Sequence, residues 1–373
     1  MSDEKLNRQS YLTQNKGDFP AETTFFGSRY VKVDDLRYGT NPHQPAACYR
    51  PLEHGGDVIG SMEIIKNGKS GLSQTNLEDI SYSLNIVKFF REPACACMKH
   101  VNPCGAAYAA PGESLRSVYV KARECDPRAH FGSVIAFNTT VDGETAAEIM
   151  STFVECVVAP GYTDEAVSVF CNPEVKLNRH IRILKCGDLA RLPRYTGDDI
   201  SGCHTFKVLA DGTVVVSEPL LTNLRSEADL HPAAADSKTG GHAESTVAAT
   251  ERQKRDLLTA WYININVRSN GVVIVKNGGT LCVGTGEQDR VGAVEQAIEK
   301  FAQKYEGKED IHDAVMASDG FFPFPDGVEV AAKAGITAII APAGSIKDRD
   351  VIRRANELGV ALFFAPERVF SHH

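Results

Sequence analysis

The stretch SVIAFNTTVDGETAAEIMSTFVECVVAPGY, residues 133–162, decides the fold class. Its apolar runs at Ser133–Asn138 and Cys156–Tyr162 predict buried strands, and Thr145–Val154 between them predicts a helix. Strands that alternate with helices of this length are typical of layered α/β proteins. The stretch therefore predicts an α/β fold.

The alternation continues on both sides of this stretch. An apolar run at Pro93–Met98 predicts a strand, and Asn76 or Thr75 is the expected N-cap of a helix that follows Gly71. Further helices are predicted at Leu115–Arg123, Glu251–Val267 and Val291–Lys304.

A weak internal repeat relates the middle of the chain to its end. Residues 154–167 (VECVVAPGYTDEAV) and 336–352 (ITAIIAPAGSIKDRDVI) each combine an apolar strand that closes with Ala-Pro, a polar turn and a helix. The repeat predicts two similar α/β halves with a ligand cleft between or across them.

Composition divides the chain into four predicted segments. The segments are an N-terminal arm (1–34), a first half (35–185), a connecting region (186–250) and a second half (251–373). The arm is polar and aperiodic. The connecting region is predicted to hold a hairpin that turns at Asp211-Gly212 and a mobile linker or excursion at residues 231–246.

Composition and charge exclude several classes of protein. The net charge of −8 argues against a nucleic-acid binder, and no apolar run approaches the roughly 18 residues of a membrane helix. Residues 1–15 lack the apolar core of a signal peptide. A cytoplasmic protein is expected, without nucleic-acid or membrane partners, and its 10 scattered Cys are expected to be free thiols.

The stretch MKHVNPCGAA, residues 98–107, places a cation and an imidazole side by side at a strand end. The residues Asn102–Gly105 are a turn signal that is expected to end the strand. A neutral imidazole can take a proton from an attacking amine, and an ammonium can stabilise a developing oxyanion. Spacing alone slightly favours the alternative, in which Lys99 caps the strand and His100 forms a hydrogen bond in the core.

Zinc is the rival chemistry for the same stretch. The residues that could bind it are Cys95, Cys97, His100 and Cys104. They lack both the C-x-x-C spacing and the H-x-E pattern of zinc deaminases. No metal is therefore expected here.

Three loops carry further candidate residues. LRYGTNPHQ, residues 36–44, is rich in hydrogen-bond donors and predicts either a ligand site or a surface turn. CVGTGEQDR, residues 282–290, is an incomplete dinucleotide fingerprint or a Gly-rich strand end with Arg290 as a donor. SDGFFPFPDGV, residues 318–328, could grip a flat heterocycle beside Asp326, or its Phe residues could fill the core.

Nine motifs in order together resemble one family. They are LRYGTNPHQ, KHVNPCGAA, FGSVIAFN, VVAPGY, SNGVVIVKNG, GTGEQDR, SDGFFPFPDGV, APAGS and RVFSHH, and the match runs from about Asp35 to His372. They resemble AICAR transformylase, the half of a bifunctional purine-biosynthesis protein that moves a formyl group from 10-formyltetrahydrofolate to 5-aminoimidazole-4-carboxamide ribonucleotide (AICAR). The resemblance implies two cytidine-deaminase-like α/β/α halves and a homodimer with shared active sites.

The resemblance also implies roles for the matching residues. His100 would help to remove a proton from the 5-amino group, and Lys99 would stabilise charge at the formyl oxygen. The nucleotide set, in which the arginines would suit the phosphate, is Arg37, Tyr38, Asn76, Gly132, Glu155, Arg368, Phe370 and His372. The folate set is Asn270, Arg290, Phe321, Pro323, Phe324, Asp326 and Pro342. The co-substrate is 10-formyltetrahydrofolate, zinc is not expected, and a monovalent cation is left open.

Two departures from the family qualify the expected activity. Only about 35 residues precede the first motif, so ring closure to inosine monophosphate (IMP) is expected to need a separate IMP cyclohydrolase. A catalytically silent paralogue that binds a purine nucleotide as a regulator is the alternative function. Retention of Lys99 and His100 argues against it, since a decayed enzyme should lose these residues before its scaffold.

Overall fold

The computed structural model describes residues 10, 13–14, 16–53, 55–68, 71–237, 241–305 and 309–372. They form two units. The first unit contains the described residues up to Lys88 together with Phe131–Pro193 and Gly197–Pro219. The second contains Phe89–His130, Arg194–Thr196 and the described residues from Leu220 onward. The four segments predicted from the sequence follow the internal repeat, which divides the chain differently from these two units. They stay a prediction.

The helices of the described residues follow the apolar periodicity of the sequence, with ends that differ by a few residues from the predicted ones. They are α1 (Gln74–Val87), α2 (Leu115–Glu124), α3 (Pro127–His130), α4 (Gly143–Met150), α5 (Asp164–Cys171), α6 (Glu251–Asn264), α7 (Arg290–Tyr305), α8 (Asp326–Ala334) and α9 (Asp348–Glu357). Short 3₁₀ helices lie at Leu189–Arg191 and Glu227–Asp229.

The strands include every strand that the sequence predicts. They are β1 (Glu22–Phe25), β2 (Ser28–Asp35), β3 (Ala47–Pro51), β4 (Glu63–Lys66), β5 (Ala94–Lys99), β6 (Asn102–Tyr108), β7 (Ser133–Phe137), β8 (Val154–Ala159), β9 (Arg182–Lys185), β10 (Thr205–Val208), β11 (Val214–Ser217), β12 (His231–Pro232), β13 (Ala234–Ser237), β14 (Gly241–Glu244), β15 (Val272–Lys276), β16 (Gly279–Gly284), β17 (Ala314–Ser318), β18 (Ile336–Pro342) and β19 (Ala361–Ala365).

In the first unit, the parallel strands β7, β8 and β9 carry β4 as an antiparallel edge strand. β7 is buried along its whole length, and β8 is buried except at Glu155. Such continuous burial is typical of parallel strands, which are covered on both faces. Helix α1 packs on β7. Glu155 is therefore a half-buried carboxylate in an otherwise apolar strand.

The second unit contains a mixed sheet in the order β12, β19, β18, β17, β15, β16, β6, β5. The pairs β17–β18 and β18–β19 are parallel, and the other pairs are antiparallel. Helix α6 packs on β15 and β17, α7 packs on β16, and α2 packs on β5 and β6. The core on one side includes Ile274, Met316, Ile339 and Val351, each of which stabilises the fold by about 2 kcal/mol through burial.

The same succession of elements occurs twice along the chain. A helix, an antiparallel hairpin and a second helix are followed by three strands with helices between them: α1, β5–β6, α2, β7, α4, β8, α5, β9, and again α6, β15–β16, α7, β17, α8, β18, α9, β19. The α/β class is confirmed. Both segments of the sequence repeat adopt the predicted strand, turn and helix. Among the described residues, no helix has the length and apolar character of a membrane span.

Two glycines allow a hairpin strand to approach the helix that follows it. A Cβ at Gly105 in β6 would lie 1.9 Å from the carbonyl oxygen of Ala122 in α2. A Cβ at Gly284 in β16 would lie 2.1 Å from the carbonyl oxygen of Ala293 in α7. Each strand therefore packs on its helix at a distance that only glycine permits.

The secondary structure differs from the sequence-based expectations in several places. Within residues 1–34, expected to be an aperiodic arm, lie β1 and all but the last residue of β2; β1 pairs with β2, and β2 pairs with β3. The described part of residues 231–246 is not a linker but includes the paired strands β13 and β14, from which Ala243 enters the core. The N-cap of α1 is Ser73 rather than Asn76 or Thr75. The hairpin at Asp211-Gly212 is confirmed.

The replacement Gly105→Ala is expected to lower the free energy of unfolding by about 3 kcal/mol, because the added Cβ overlaps backbone that is held by its own hydrogen bonds. The control is Gly112→Ala, where φ is +81° and an added Cβ meets nothing within 4 Å. This control should cost only about 1 kcal/mol for the left-handed backbone. Urea unfolding followed by circular dichroism compares them, and equal losses would contradict the close approach of β6 and α2.

Candidate active site

The Lys-His pair lies at the tip of the β5–β6 hairpin in the second unit. Lys99 is the last residue of β5 and pairs with Asn102, the first residue of β6, so that His100 and Val101 form a two-residue turn. Lys99 is half-buried and His100 is exposed. The alternative in which His100 is a core residue is therefore wrong.

The turn has an unusual backbone. Its φ angles are +54° at His100 and +59° at Val101. Positive φ at both positions belongs to the tight hairpin turns that Asn-Gly prefers. In a non-Gly residue it costs on the order of 1–3 kcal/mol, and a β-branched residue such as Val101 is a rare occupant. The expected turn at Asn102–Gly105 is wrong, because these residues continue as β6.

A cavity of about 150 Å³ lies beside the Lys-His pair. Its charged lining residues are Lys99, Lys300, Lys304 and Asp126. Lys304 forms an ion pair with Asp126, and the Nζ of Lys300 donates to the carbonyl of Val283 at 3.0 Å. Burial, followed by the charge of Lys304, lowers the pKa of Lys300. The surroundings of the Lys-His pair are thus predominantly cationic.

The folate set is organised around a buried ion pair in the same unit. Arg290 begins α7, and its Nη1 donates to the carboxylate of Asp319, which is fully buried. Its Nη2 donates to Asn270 Oδ1 at 2.5 Å. The backbone N–H of Gly271 donates to the other oxygen of Asp319 at 3.0 Å. Arg290 is therefore a donor to a carboxylate and an amide, as its position after a Gly-rich strand end predicts.

Phe370 of the nucleotide set lies beside this ion pair. The guanidinium carbons of Arg368 and Arg290 lie 4.2 Å and 5.9 Å from the centre of its ring, within the range of cation–π attraction. The ring of His372 meets it edge-on at 5.8 Å. A Cβ at Gly320 would lie 2.6 Å from both Arg290 Nη2 and the Phe370 ring, so only glycine fits there. The structure brings these nucleotide and folate residues together.

The aromatic loop has two kinds of phenylalanine. Phe322 is buried in the core, whereas Phe321 and Phe324 are 38% and 56% exposed. Asp326 is exposed at the first residue of α8. Of the two prolines of the folate set, the carbonyl of Pro323 accepts a hydrogen bond from Ser345, and Pro342 ends β18. The loop thus combines a core anchor with two exposed aromatic faces.

A second constellation lies in the first unit. Arg37 and Asn76 are buried, and Arg37 Nη2 donates to Asn76 Oδ1 at 3.4 Å. Asn76 Nδ2 and Arg182 Nη1 both donate to Glu155 Oε2, each at 3.3 Å. The capping box of α1 holds Asn76 in place, because its Oδ1 also accepts the backbone N–H of Ser73 at 3.1 Å. Glu155 therefore accepts from Arg182 directly and is linked to Arg37 through Asn76.

One buried donor of this pocket has no partner among the described residues. Arg37 is 5% exposed, and its Nε has no hydrogen-bond partner among the described residues. Burial, followed by the positive charge of Arg182, lowers the pKa of Arg37. A buried donor without a partner costs about 1–3 kcal/mol. An anion that accepted from Arg37 would remove that cost.

The remaining residues of the nucleotide set in the first unit are Tyr38 and Gly132. The guanidinium carbon of Arg37 lies 4.6 Å from the centre of the Tyr38 ring. Gly132 has a φ of +78°, and its N–H donates to the carbonyl of Phe153 at 2.9 Å. The nucleotide set thus divides between the units, since Arg368, Phe370 and His372 belong to the second.

Four residues of these constellations had no predicted role in a site: Arg182, Asp319, Asn102 and Thr285. Arg182 and Asp319 are buried charges. The signal for Arg182 was a cation directly before the apolar pair Ile183-Leu184 in β9. Asn102 and Thr285 bond to each other across 183 residues, a contact that no local pattern predicts.

The zinc hypothesis receives no geometric support from its cysteines. The thiol of Cys104 donates to the carbonyl of Cys97 at 3.2 Å, and burial raises the pKa of Cys104 well above its usual value. A thiolate, which zinc requires, is therefore disfavoured there. Within the described residues, no group of three or more His, Cys, Asp or Glu is placed to hold a metal ion.

The fold and the two constellations define an α/β protein with a Lys-His turn in one unit and a cationic pocket in the other. A family model described as AICARFT/IMPCHase bienzyme matches residues 5–300. The chain therefore belongs to the AICARFT/IMPCHase bienzyme family.

Two curated relatives carry the name "Bifunctional purine biosynthesis protein PurH". The chain is 36% identical over 363 residues to that of Oceanobacillus iheyensis and 37% identical over 367 residues to that of Anoxybacillus flavithermus. Each alignment covers 97% of this chain and 63% of the relative, so the chain spans less than two thirds of their length.

Among solved structures, a dCMP deaminase from the cyanophage S-TIM5 matches with 22% identity. It covers 31% of this chain and 98% of its own, with a TM-score of 0.22. That score is too low to relate the folds, and the cytidine-deaminase-like character of the halves stays a prediction.

The replacement Glu155→Gln is expected to lower the free energy of unfolding by about 2 kcal/mol, because two buried guanidinium groups would lose their compensating charge. The control is Glu357→Gln, which removes an exposed partner of Arg354 at 2.8 Å and should cost about 0.5 kcal/mol or less. Both variants are measured by urea unfolding at low and high salt. A Glu155 effect no larger than the control would show that the pocket does not need this carboxylate.

Proposed function

We propose that this protein transfers the formyl group of 10-formyltetrahydrofolate to the 5-amino group of AICAR in purine biosynthesis. The observation that carries the proposal is the exposed imidazole of His100 beside Lys99 on a strained turn, in a chain of the AICARFT/IMPCHase bienzyme family. Strain of this kind is typical of functional sites, because the backbone must hold a side chain where local preference would not.

The side chains suit an addition–elimination reaction. The 5-amino nitrogen of AICAR attacks the formyl carbon, and the imidazole of His100 takes the proton that the amine loses. The oxygen of the resulting tetrahedral intermediate carries negative charge, which the Lys99 ammonium stabilises. The bond from the formyl carbon to N10 then breaks, N10 takes up a proton, and formyl-AICAR and tetrahydrofolate leave. His100 is positioned to return that proton.

The pocket of the first unit supports recognition of a nucleotide phosphate. Arg37 offers an Nε that has no partner among the described residues, and Glu155 accepts from Arg182 directly but reaches Arg37 only through Asn76. Guanidinium groups match phosphate oxygens in geometry as well as charge. Asn76 and Glu155 would face the carboxamide, and Arg368 and Phe370 would complete the nucleotide site.

The aromatic loop supports recognition of the folate ring. Phe321 and Phe324 present exposed faces on which a flat heterocycle can stack, and the exposed carboxylate of Asp326 can accept hydrogen bonds from ring nitrogens. Pro323 and Pro342 restrict the backbone around these residues. Asn270 is held by Arg290 at its Oδ1 and donates through Nδ2 to the carbonyl of Glu287 at 2.9 Å, so the second hydrogen of Nδ2 points in a fixed direction.

Several further properties follow from the family resemblance and stay predictions. They are a homodimer whose active sites draw on both subunits and, left open, a monovalent cation site; the cytoplasmic location expected from the composition likewise stays a prediction.

The test is a formyl-transfer assay of the purified protein with AICAR and 10-formyltetrahydrofolate, followed by the formation of tetrahydrofolate. The native protein should turn over, and His100→Ala should reduce kcat by about 100-fold or more through loss of the proton acceptor. The matched control is His312→Ala, which removes another exposed imidazole of the second unit and should leave kcat unchanged.

Two outcomes would contradict these proposals separately. Full activity of His100→Ala would remove His100 from the mechanism. AICAR binding by calorimetry without turnover of the native protein would favour the silent regulatory paralogue.

A further inference from the structure

The side chain of Asn102 joins the catalytic turn to the folate-side loop. Its Nδ2 donates to the carbonyl oxygen of His100 at 3.1 Å, and its Oδ1 accepts from the backbone N–H of Arg268 at 3.1 Å and from the hydroxyl of Thr285 at 2.6 Å. We propose that Asn102 is a positioning residue for formyl transfer, which fixes His100 relative to the loop that carries Asn270. This inference rests on the function proposed above.

The turn needs such a tie because its own residues do not favour its backbone. Neither His100 nor Val101 is a glycine, although both have positive φ. The pairing of Lys99 with Asn102 closes the hairpin around the peptide between His100 and Val101. The hydrogen bond from Asn102 Nδ2 to the His100 carbonyl restrains that peptide. The backbone conformation at His100 also determines the direction in which its imidazole points.

The other end of the Asn102 amide reaches the loop that leads to Asn270. The N–H of Arg268 donates to Asn102. The carbonyl of Arg268 accepts the N–H of Gly286 at 2.8 Å. Two residues later, the N–H of Asn270 donates to the carbonyl of Glu287 at 3.1 Å. Asn270 then accepts from Arg290. Hydrogen bonds, together with the short backbone segment 268–270, therefore link the His100 carbonyl to the buried Arg290–Asp319 pair.

The chemistry of this position requires a short carboxamide. The site needs one donor for the His100 carbonyl and one acceptor for two donors at the same time, and Asn supplies both. Aspartate keeps the acceptor but sets a carboxylate oxygen against the His100 carbonyl. Alanine removes both groups, and the longer glutamine displaces them.

The experiment compares Asn102→Ala and Asn102→Asp with the native protein in the formyl-transfer assay. We expect kcat to fall by about 30-fold in both, with a change of less than about threefold in the KM for AICAR, because the turn remains but is no longer fixed. Thr285→Val should give a smaller loss of about fivefold, and Thr285→Ser, which keeps the hydroxyl, should restore native kcat.

The matched control is Asn356→Ala. Asn356 is equally half-buried in the second unit and ties two backbone groups in the same way, with Oδ1 accepting from Thr246 and Nδ2 donating to Glu244, both at 2.9 Å. It lies in α9, outside both constellations. This variant should lose thermal stability without a change in kcat, which shows what a purely structural asparagine does.

Amide hydrogen exchange provides a readout that does not depend on activity. In Asn102→Ala the N–H of Arg268 should exchange at least tenfold faster, because its acceptor is gone. Native kcat in Asn102→Ala, or unchanged exchange at Arg268, would overturn the inference. An inactive native protein would instead overturn the proposed function, and the exchange at Arg268 would still decide whether Asn102 holds the turn to the loop.

Discussion

The buried ion pair between Arg290 and Asp319 sets the arrangement of the loops at one end of the second unit. A fully buried carboxylate is several kcal/mol less favourable than a solvated one unless a cation and hydrogen-bond donors replace its water. Arg290 supplies the cation, and the N–H of Gly271 supplies a further donor. Because this geometry compensates the charges of both Arg290 and Asp319, the loops that contact the ion pair are held in one arrangement. Asn270 and Phe370 are placed as a consequence.

The buried arginine of the first unit differs from Arg290 in one respect. Arg37 and Arg182 are both buried, and the half-buried Glu155 accepts from Arg182 directly and reaches Arg37 only through Asn76. The guanidinium of Arg290 is bonded to a fully buried carboxylate, whereas the Nε of Arg37 has no hydrogen-bond partner among the described residues. A paired guanidinium orders a loop, and a guanidinium with an unused donor can gain free energy from an anionic ligand.

The predictable parts of this protein are those decided by local sequence. Apolar periodicity located the helices, and the Asp211-Gly212 dipeptide located its hairpin, because each acts within a few residues. The contact of Glu155 with Arg182 depends instead on the parallel register of β8 and β9, in which Cys156 is paired with Arg182. No periodicity reveals such a register. The same holds for Asn102 and Thr285, which meet only because β6 pairs with β16.

The His100-Val101 turn is where local preference and structure disagree most. Local chemistry favours a turn at Asn102-Pro103, yet the chain turns at His100-Val101, with Pro103 beside an irregularity in the β5–β6 pairing. Such conflicts are expected where function constrains the backbone. A glycine at position 101 would accept the positive φ without strain, but it would also give the turn more conformations. The stiff, β-branched Val101 reduces that freedom, and the hydrogen bond from Asn102 Nδ2 to the His100 carbonyl restrains the same turn. A stiff residue and a bonded carbonyl together therefore leave the His100 imidazole fewer directions than a relaxed turn would.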